Sequence, residues 1–237
     1  MLIKIHKVER YADVIINHTA TSQYFSRSLV SLLAIGIPIN GRVDAVKASQ
    51  RQSIRILHAP SRPLAKGSLV FRQVVDELIA EGYSIDLVEL VGVPNRVVLK
   101  ELQNCDFVID ELYSDTPLAM FATEAAMFGK PAIVGGYYAA QLSADNQYSV
   151  LPPSLYVAPE EIKQAIRKMI DDKEFRTDMG NRAHDFILNN WSARMVAKNY
   201  LRLIEGDIPK QWIINPKELD YCWGWGLSKR KLARTGR

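Results

Sequence analysis

A single carboxylate, Glu124, stands in the run LAMFATEAAMFGKPAIV (118–134), whose other members are almost all small or apolar. An ionised carboxylate in such surroundings costs several kcal/mol unless a cation, backbone amides or a bound ligand satisfies it. Two chemistries fit. A Glu can accept hydrogen bonds from the cis hydroxyls of a ribose, the task an acid performs in dinucleotide-binding folds; otherwise it is a structural Glu tied to a Lys, an Arg or backbone amides. A second grouping, SRPLAKGS (61–68), sets Arg62 and Lys66 between a strand and a helix start. Two cations beside helix N-terminal amides suit a diphosphate, and on a loop they also suit plain solvation. A third stretch, DELYSDTPLA (110–119), offers Asp110, Glu111 and Asp115 with amides at the start of the next helix.

The elements that would position these residues follow from hydrophobic spacing. Strands are predicted at 54–60, 85–90, 106–110, 131–134 and 155–158, with helices at about 67–82, 95–104, 118–128, from Pro159 to about 170, around 175–186, and from Ser192 to about 205. Pro159 followed by two acids suits a helix start and its dipole. Strands alternating with helices imply an α/β fold, a doubly wound, Rossmann-like parallel sheet. In such sheets ligands bind outside the carboxyl ends of the strands, and all three groupings fall at those ends. Upstream, 12–17 reads as a short buried strand, 22–34 as a helix and 40–53 as a polar linker. His58 closes a strand and reads as a packed or hydrogen-bonded structural residue.

Composition excludes several classes. The chain has 237 residues and is 48% hydrophobic, enough for a substantial core. Net charge is +4, but the last nine residues, KRKLARTGR, hold five cations, which leaves 25 basic against 26 acidic groups in the body. A nucleic-acid partner, which needs a basic face across the fold, is not expected. Cys105 and Cys222 lie far apart without ligand-spaced partners, so reduced thiols, no metal and a cytoplasmic setting are expected. The N-terminus lacks the apolar core of a secretory signal, and 29–39 is about half the length of a membrane-spanning helix. The spaced glycines of a nicotinamide- or flavin-binding site are absent.

Taken together, ILHAPSRPLAKGS, CDFVIDELY and ATEAAMFGKPAIVGG resemble the donor-binding half of GT-B glycosyltransferases, specifically the retaining family 4 group, over about residues 12–205. The resemblance implies transfer of a sugar from a nucleoside-diphosphate donor to a glycan or lipid-linked acceptor with retention, with no cofactor or metal. It assigns Arg62 and Lys66 to the diphosphate and Glu124 to the ribose. It brings the helix start at Thr116, Pro117, Leu118 and Ala119 to the donor, and the backbone near Val93 to Asn95 to the base. Family members carry a further Glu eight positions before the ribose-binding one; here that position is Thr116, and Asp115 beside it is the substitute candidate.

The implied organisation is the end of an N-terminal domain plus linker (1–50), a nucleotide-sugar-binding domain (51–190) and a crossover helix with a basic aromatic tail (191–237). The acceptor half would come from a missing N-terminal domain or a partner subunit. The tail, with Trp212, Tyr221, Trp223 and Trp225 before its basic end, is expected to dock on that domain, to make peripheral contact with the inner membrane face, or to remain a flexible end. The alternatives are a non-catalytic nucleotide-sugar-binding or interaction module and, third, a nucleotide-sugar epimerase of the same two-domain fold.

Overall fold

A computed structural model describes residues 2–17, 22, 24–31, 35–38, 51–114, 120–137, 151–222 and 225–228. The elements in chain order are helix α1 (Leu2–Tyr11), strand β1 (Leu29–Val30), β2 (Ile54–His58), α2 (Ser68–Ala80), β3 (Ile85–Glu89), α3 (Asn95–Asn104), β4 (Phe107–Ile109), α4 (Met120–Met127), β5 (Ala132–Gly135), β6 (Leu155–Val157), α5 (Ile162–Asp171), α6 (Lys173–Phe186), α7 (Ala193–Ile204), β7 (Ile213–Ile214), β8 (Leu219–Cys222) and β9 (Trp225–Ser228).

Strands β2 to β6 form one parallel sheet in the order β3-β2-β4-β5-β6. Because side chains alternate along each strand, both faces must be covered. Ile56, Phe107, Ile109 and Ile133 pack under Phe71, Val75 and Leu78 of α2 and Ile166 and Met169 of α5. Leu57, Val108, Ala132 and Val134 face Leu102 of α3 and Phe121 and Ala125 of α4. The sheet is therefore doubly wound, as the alternation of elements implies. Cys105 is a buried free thiol whose pKa desolvation pushes up to about 12, far from reactive thiolate chemistry.

The order in which successive strands are added reverses at β2, since β3 lies on one side of it and β4 on the other. That reversal is the topological switch point, where the loops leaving two adjacent strands diverge and leave a crevice.

Upstream of the sheet the structure departs from the sequence reading. The stretch 12–17 is not a strand; it contributes a single bridge, Ile16 to Val30. Among its described residues the stretch 22–34 does not run as the one helix predicted: Leu29–Val30 is extended and pairs antiparallel with Ile213–Ile214. The Val30 amide donates to the Ile15 carbonyl at 2.8 Å and its carbonyl accepts from the Asn17 amide at 3.1 Å, while the other edge of Leu29–Val30 meets a strand almost two hundred residues away, a pairing that local periodicity cannot reveal. Arg27 supports the arrangement, its guanidinium donating to the carbonyls of Glu9 at 2.8 Å, Ala12 at 3.0 Å and Asp13 at 2.8 Å at the end of α1. Most of the expected linker, 40–50, lies outside the described residues.

Helix α7 begins at Ser192, whose side chain accepts from the Met195 amide. Its Leu203 packs with Val30, Val14, Ile208 and Trp212. Trp212 is thus held by this chain itself, with the Arg202 guanidinium 5.5 Å from its ring centroid. Strands β8 and β9 form an antiparallel hairpin. Trp223 and the basic end fall outside the described residues. Among the described residues no helix is long and apolar enough to cross a membrane.

Candidate nucleotide-binding cleft

A cleft of about 470 Å³ opens at the switch point, a volume within the ordinary range for small-ligand sites. Three strand-to-helix junctions line it: Ala59, Pro60, Ser61 and Lys66 after β2; Leu90, Gly92, Val93, Asn95 and Val98 after β3 and on α3; Met120, Phe121 and Glu124 on α4.

Glu124 projects from α4 toward this cleft. Its neighbours Phe121, Ala122, Thr123, Ala125 and Ala126 are buried, but Glu124 itself is only half-buried. The burial expected from its neighbours does not hold: α4 turns one face to the sheet and another to the cleft, and position 124 lies on the second. Its Oε1 accepts a hydrogen bond from the Asn95 side-chain amide at 3.0 Å. It makes no salt bridge with any described residue.

Lys66 ends a compact turn. Its amide donates to the Arg62 carbonyl at 3.0 Å, the Gly67 amide to Leu64 at 3.3 Å and the Ser68 amide to Pro63 at 2.9 Å. Of these amides only that of Ser68 belongs to the start of α2, where helix amides are expected at a diphosphate, and it is already used by the turn's own Pro63 carbonyl. Gly67 has φ +80°, and a Cβ there would lie 2.6 Å from Leu112 Cβ, so the chain needs glycine at this position.

The Lys66 ammonium lies 2.9 Å from Glu111 Oε2 and 3.2 Å from Asp110 Oδ1. Partial burial draws its pKa down, but Asp110 and then Glu111 outweigh that, and the net direction is upward. Burial pushes the Asp110 carboxyl up, while Lys66 and the Ala122 amide pull against it. Both Asp110 oxygens accept hydrogen bonds, Oδ1 from Lys66 and Oδ2 from Ala122 at 2.9 Å. That arrangement suits an ionised carboxylate, so the lysine's upward direction describes the pair.

His58 is 1% exposed. Its Nδ1 is 2.9 Å from the Ile109 carbonyl and its Nε2 is 2.8 Å from Ser68 Oγ. Desolvation lowers its pKa, with the Ile109 carbonyl opposing. A neutral ring fits both contacts, Nδ1–H donating to the carbonyl and Nε2 accepting from the hydroxyl. The residue ties β2 to α2 and to β4, the structural role expected of it.

Of the residues singled out by sequence, Lys66, Val93, Asn95 and Glu124 meet in one cleft. Arg62 does not line it, sitting exposed on the turn. Asp115, Thr116, Pro117, Leu118 and Ala119 lie outside the described residues. The pairing of Asp110 and Glu111 with Lys66 was missed, although all three sit where strand ends converge. Among the described residues no group of three or more His, Cys, Asp or Glu side chains is arranged to hold a metal ion.

No protein-family model matches the sequence, and no curated protein sequence matches it. Solved structures do. Anabaena HepE in complex with UDP and glucose aligns with a TM-score of 0.59 and 13% identity over 86% of this chain and 66% of that one. A TarM mutant from S. aureus, in complex with fondaparinux, α-GlcNAc-glycerol and UDP, aligns with a TM-score of 0.51 and 11% identity over 85% of this chain and 42% of that one. The chain therefore spans less than two thirds of the length of these structures, and its doubly wound parallel sheet is consistent with the C-terminal half of a GT-B fold.

Proposed function

We propose that this chain is the donor-binding part of a GT-B sugar transferase, with the cleft at the switch point holding a nucleoside-diphosphate sugar. The observation that carries the reading is the convergence of Glu124, Asn95 and Lys66 on one cleft at the carboxyl edge of the sheet. Glu124 offers a half-exposed carboxylate, aimed by Asn95, to the ribose hydroxyls. Lys66 faces the diphosphate, and Arg62, exposed on the adjoining turn and outside the cleft lining, is proposed to swing in to join it. The likeness to HepE, a protein whose structure holds UDP and glucose, supports the reading at the level of fold.

In the proposed reaction the bond between the anomeric carbon and the diphosphate oxygen breaks, the acceptor hydroxyl bonds to that carbon on the same face, and the hydroxyl proton leaves with the departing diphosphate. Negative charge grows on the leaving oxygen, and cations held against it stabilise the transition state more than the ground state. Asp115 and the 116–119 segment are proposed to meet the donor sugar and its diphosphate. The backbone near Val93 is proposed to meet the base. The acceptor is a glycan or lipid-linked sugar, bound by an N-terminal domain or partner subunit. The division at 50 and 190, a cytoplasmic location and a tail that touches the inner membrane face belong to the same proposal.

A second reading, a nucleotide-binding module without catalysis, is favoured by one observation: the Lys66 charge is already matched by Asp110 and Glu111. Incubation with UDP-, GDP- and ADP-sugars, alone and with candidate N-terminal halves, separates the two. Donor hydrolysis or transfer is the result for a transferase; donor binding without turnover in every combination is the result for a module.

A further inference from the structure

Among the described residues the charged groups lining the cleft are the Lys66 ammonium and the Glu124 carboxylate on the α4 wall, and Lys66 is paired from behind that lining by Asp110 and Glu111. A pyrophosphoryl group entering this space meets a lysine whose charge is already spoken for. The two carboxylates on Lys66 are not equivalent. Asp110 is 2% exposed, and its second oxygen accepts the Ala122 amide at the start of α4. It cannot leave without uncapping that helix. Glu111 has a side chain 19% exposed and reaches Lys66 at 2.9 Å. Its backbone is fixed, the Gly135 amide donating to its carbonyl at 2.7 Å and the next amide, that of Leu112, donating to the Lys66 carbonyl at 3.1 Å. The side chain can therefore rotate away from Lys66 while the loop stays in place.

We propose that Glu111 is an internal stand-in for the ligand's phosphate: it neutralises Lys66 in the empty cleft and is displaced when a nucleoside diphosphate binds. This rests on reading the cleft as a nucleotide site. Glu111 then sets how strongly the site favours a diphosphate over the bare nucleoside, because every diphosphate must first exchange with it. A carboxylate that instead only held Lys66 in position would help phosphate binding, and its loss would weaken it.

The test is calorimetric titration of the intact chain and of its Glu111→Gln and Glu111→Ala variants with uridine, guanosine and adenosine and with UDP, GDP and ADP. Removing a like charge from the side of an incoming anion should tighten binding of the accepted diphosphate by roughly five- to fiftyfold in both variants. The matching nucleoside should bind all three proteins within about twofold. Diphosphate affinity that is unchanged or weaker in both variants, with nucleoside binding intact, overturns the exchange and leaves the nucleotide reading standing. If no nucleoside or nucleotide binds any of the three proteins, the nucleotide reading falls and the exchange with it.

Discussion

Asn95 and Glu124 meet from different helices, the Asn95 amide donating to Glu124 Oε1 at 3.0 Å. One oxygen of the carboxylate is thereby aimed by α3, and the group proposed to grip a ribose is oriented from a second helix. A hydrogen bond to a charged acceptor of this kind orients the acceptor more than it stabilises the fold.

Asn95→Ala is expected to weaken binding of the accepted nucleoside diphosphate by about two- to tenfold, from a hydrogen bond of roughly 0.5–1.5 kcal/mol. Because the bond lies at the surface, the melting temperature should stay within about 1 °C of the parent. Titration and a thermal melt on the same sample check both halves.

Asp110 joins Lys66 to the Ala122 amide, so Asp110→Ala should destabilise the chain by about 2–4 kcal/mol in urea unfolding. Asp110→Asn, which keeps an acceptor for the amide, should lose less. The pH window follows from Lys66, whose pKa is raised from 10.5. A group raised in the folded state contributes fully below its unfolded value and loses that contribution as pH climbs through the folded one. The Lys66 part of the difference between parent and Asp110→Ala should therefore be level from neutral pH to about 10 and shrink only above that.

His58 gives the opposite slope. Burial holds its folded pKa below the ordinary 6.5, so the unfolded chain takes up a proton first as pH falls. Its contribution is complete above pH 6.5 and declines as pH drops from there through the folded value. His58→Gln should be less stable at pH 8 by about 1–3 kcal/mol, through imperfectly paired buried groups. It should lack this component of the acid-side decline in denaturant midpoints measured from pH 8 to 5.

Gly67→Ala combines a left-handed backbone with a contact against Leu112. Strain of about 1–2 kcal/mol from the backbone adds to displacement of a fully buried side chain, for a total of roughly 2–4 kcal/mol. A lowered denaturant midpoint with unchanged slope is the expected result.

The sheet was legible because its strands are short apolar runs such as IRILH and AIVG, bounded by Pro, Gly and helical spacing. The place of the cleft followed from topology alone. Glu124 was legible as an oddity, but its surroundings were misread: small apolar neighbours in sequence are the other faces of α4, and only the packed helix shows which face meets the cleft. The Lys66 to Asp110 bond joins residues 44 positions apart, and a charge pair at that distance leaves no periodic trace. The same holds for Leu29–Val30 against Ile213–Ile214, where tertiary pairing overrode helical spacing.

Glu124 is proposed to grip the ribose of a bound nucleotide, and titration of Glu124→Gln beside the intact chain with UDP, GDP and ADP measures that contact. The accepted nucleotide should bind the variant about ten- to hundredfold more weakly, a loss of about 1.5–3 kcal/mol, and its 2′,3′-dideoxy analogue should bind both proteins alike. Equal affinity of parent and variant for the full nucleotide would contradict it.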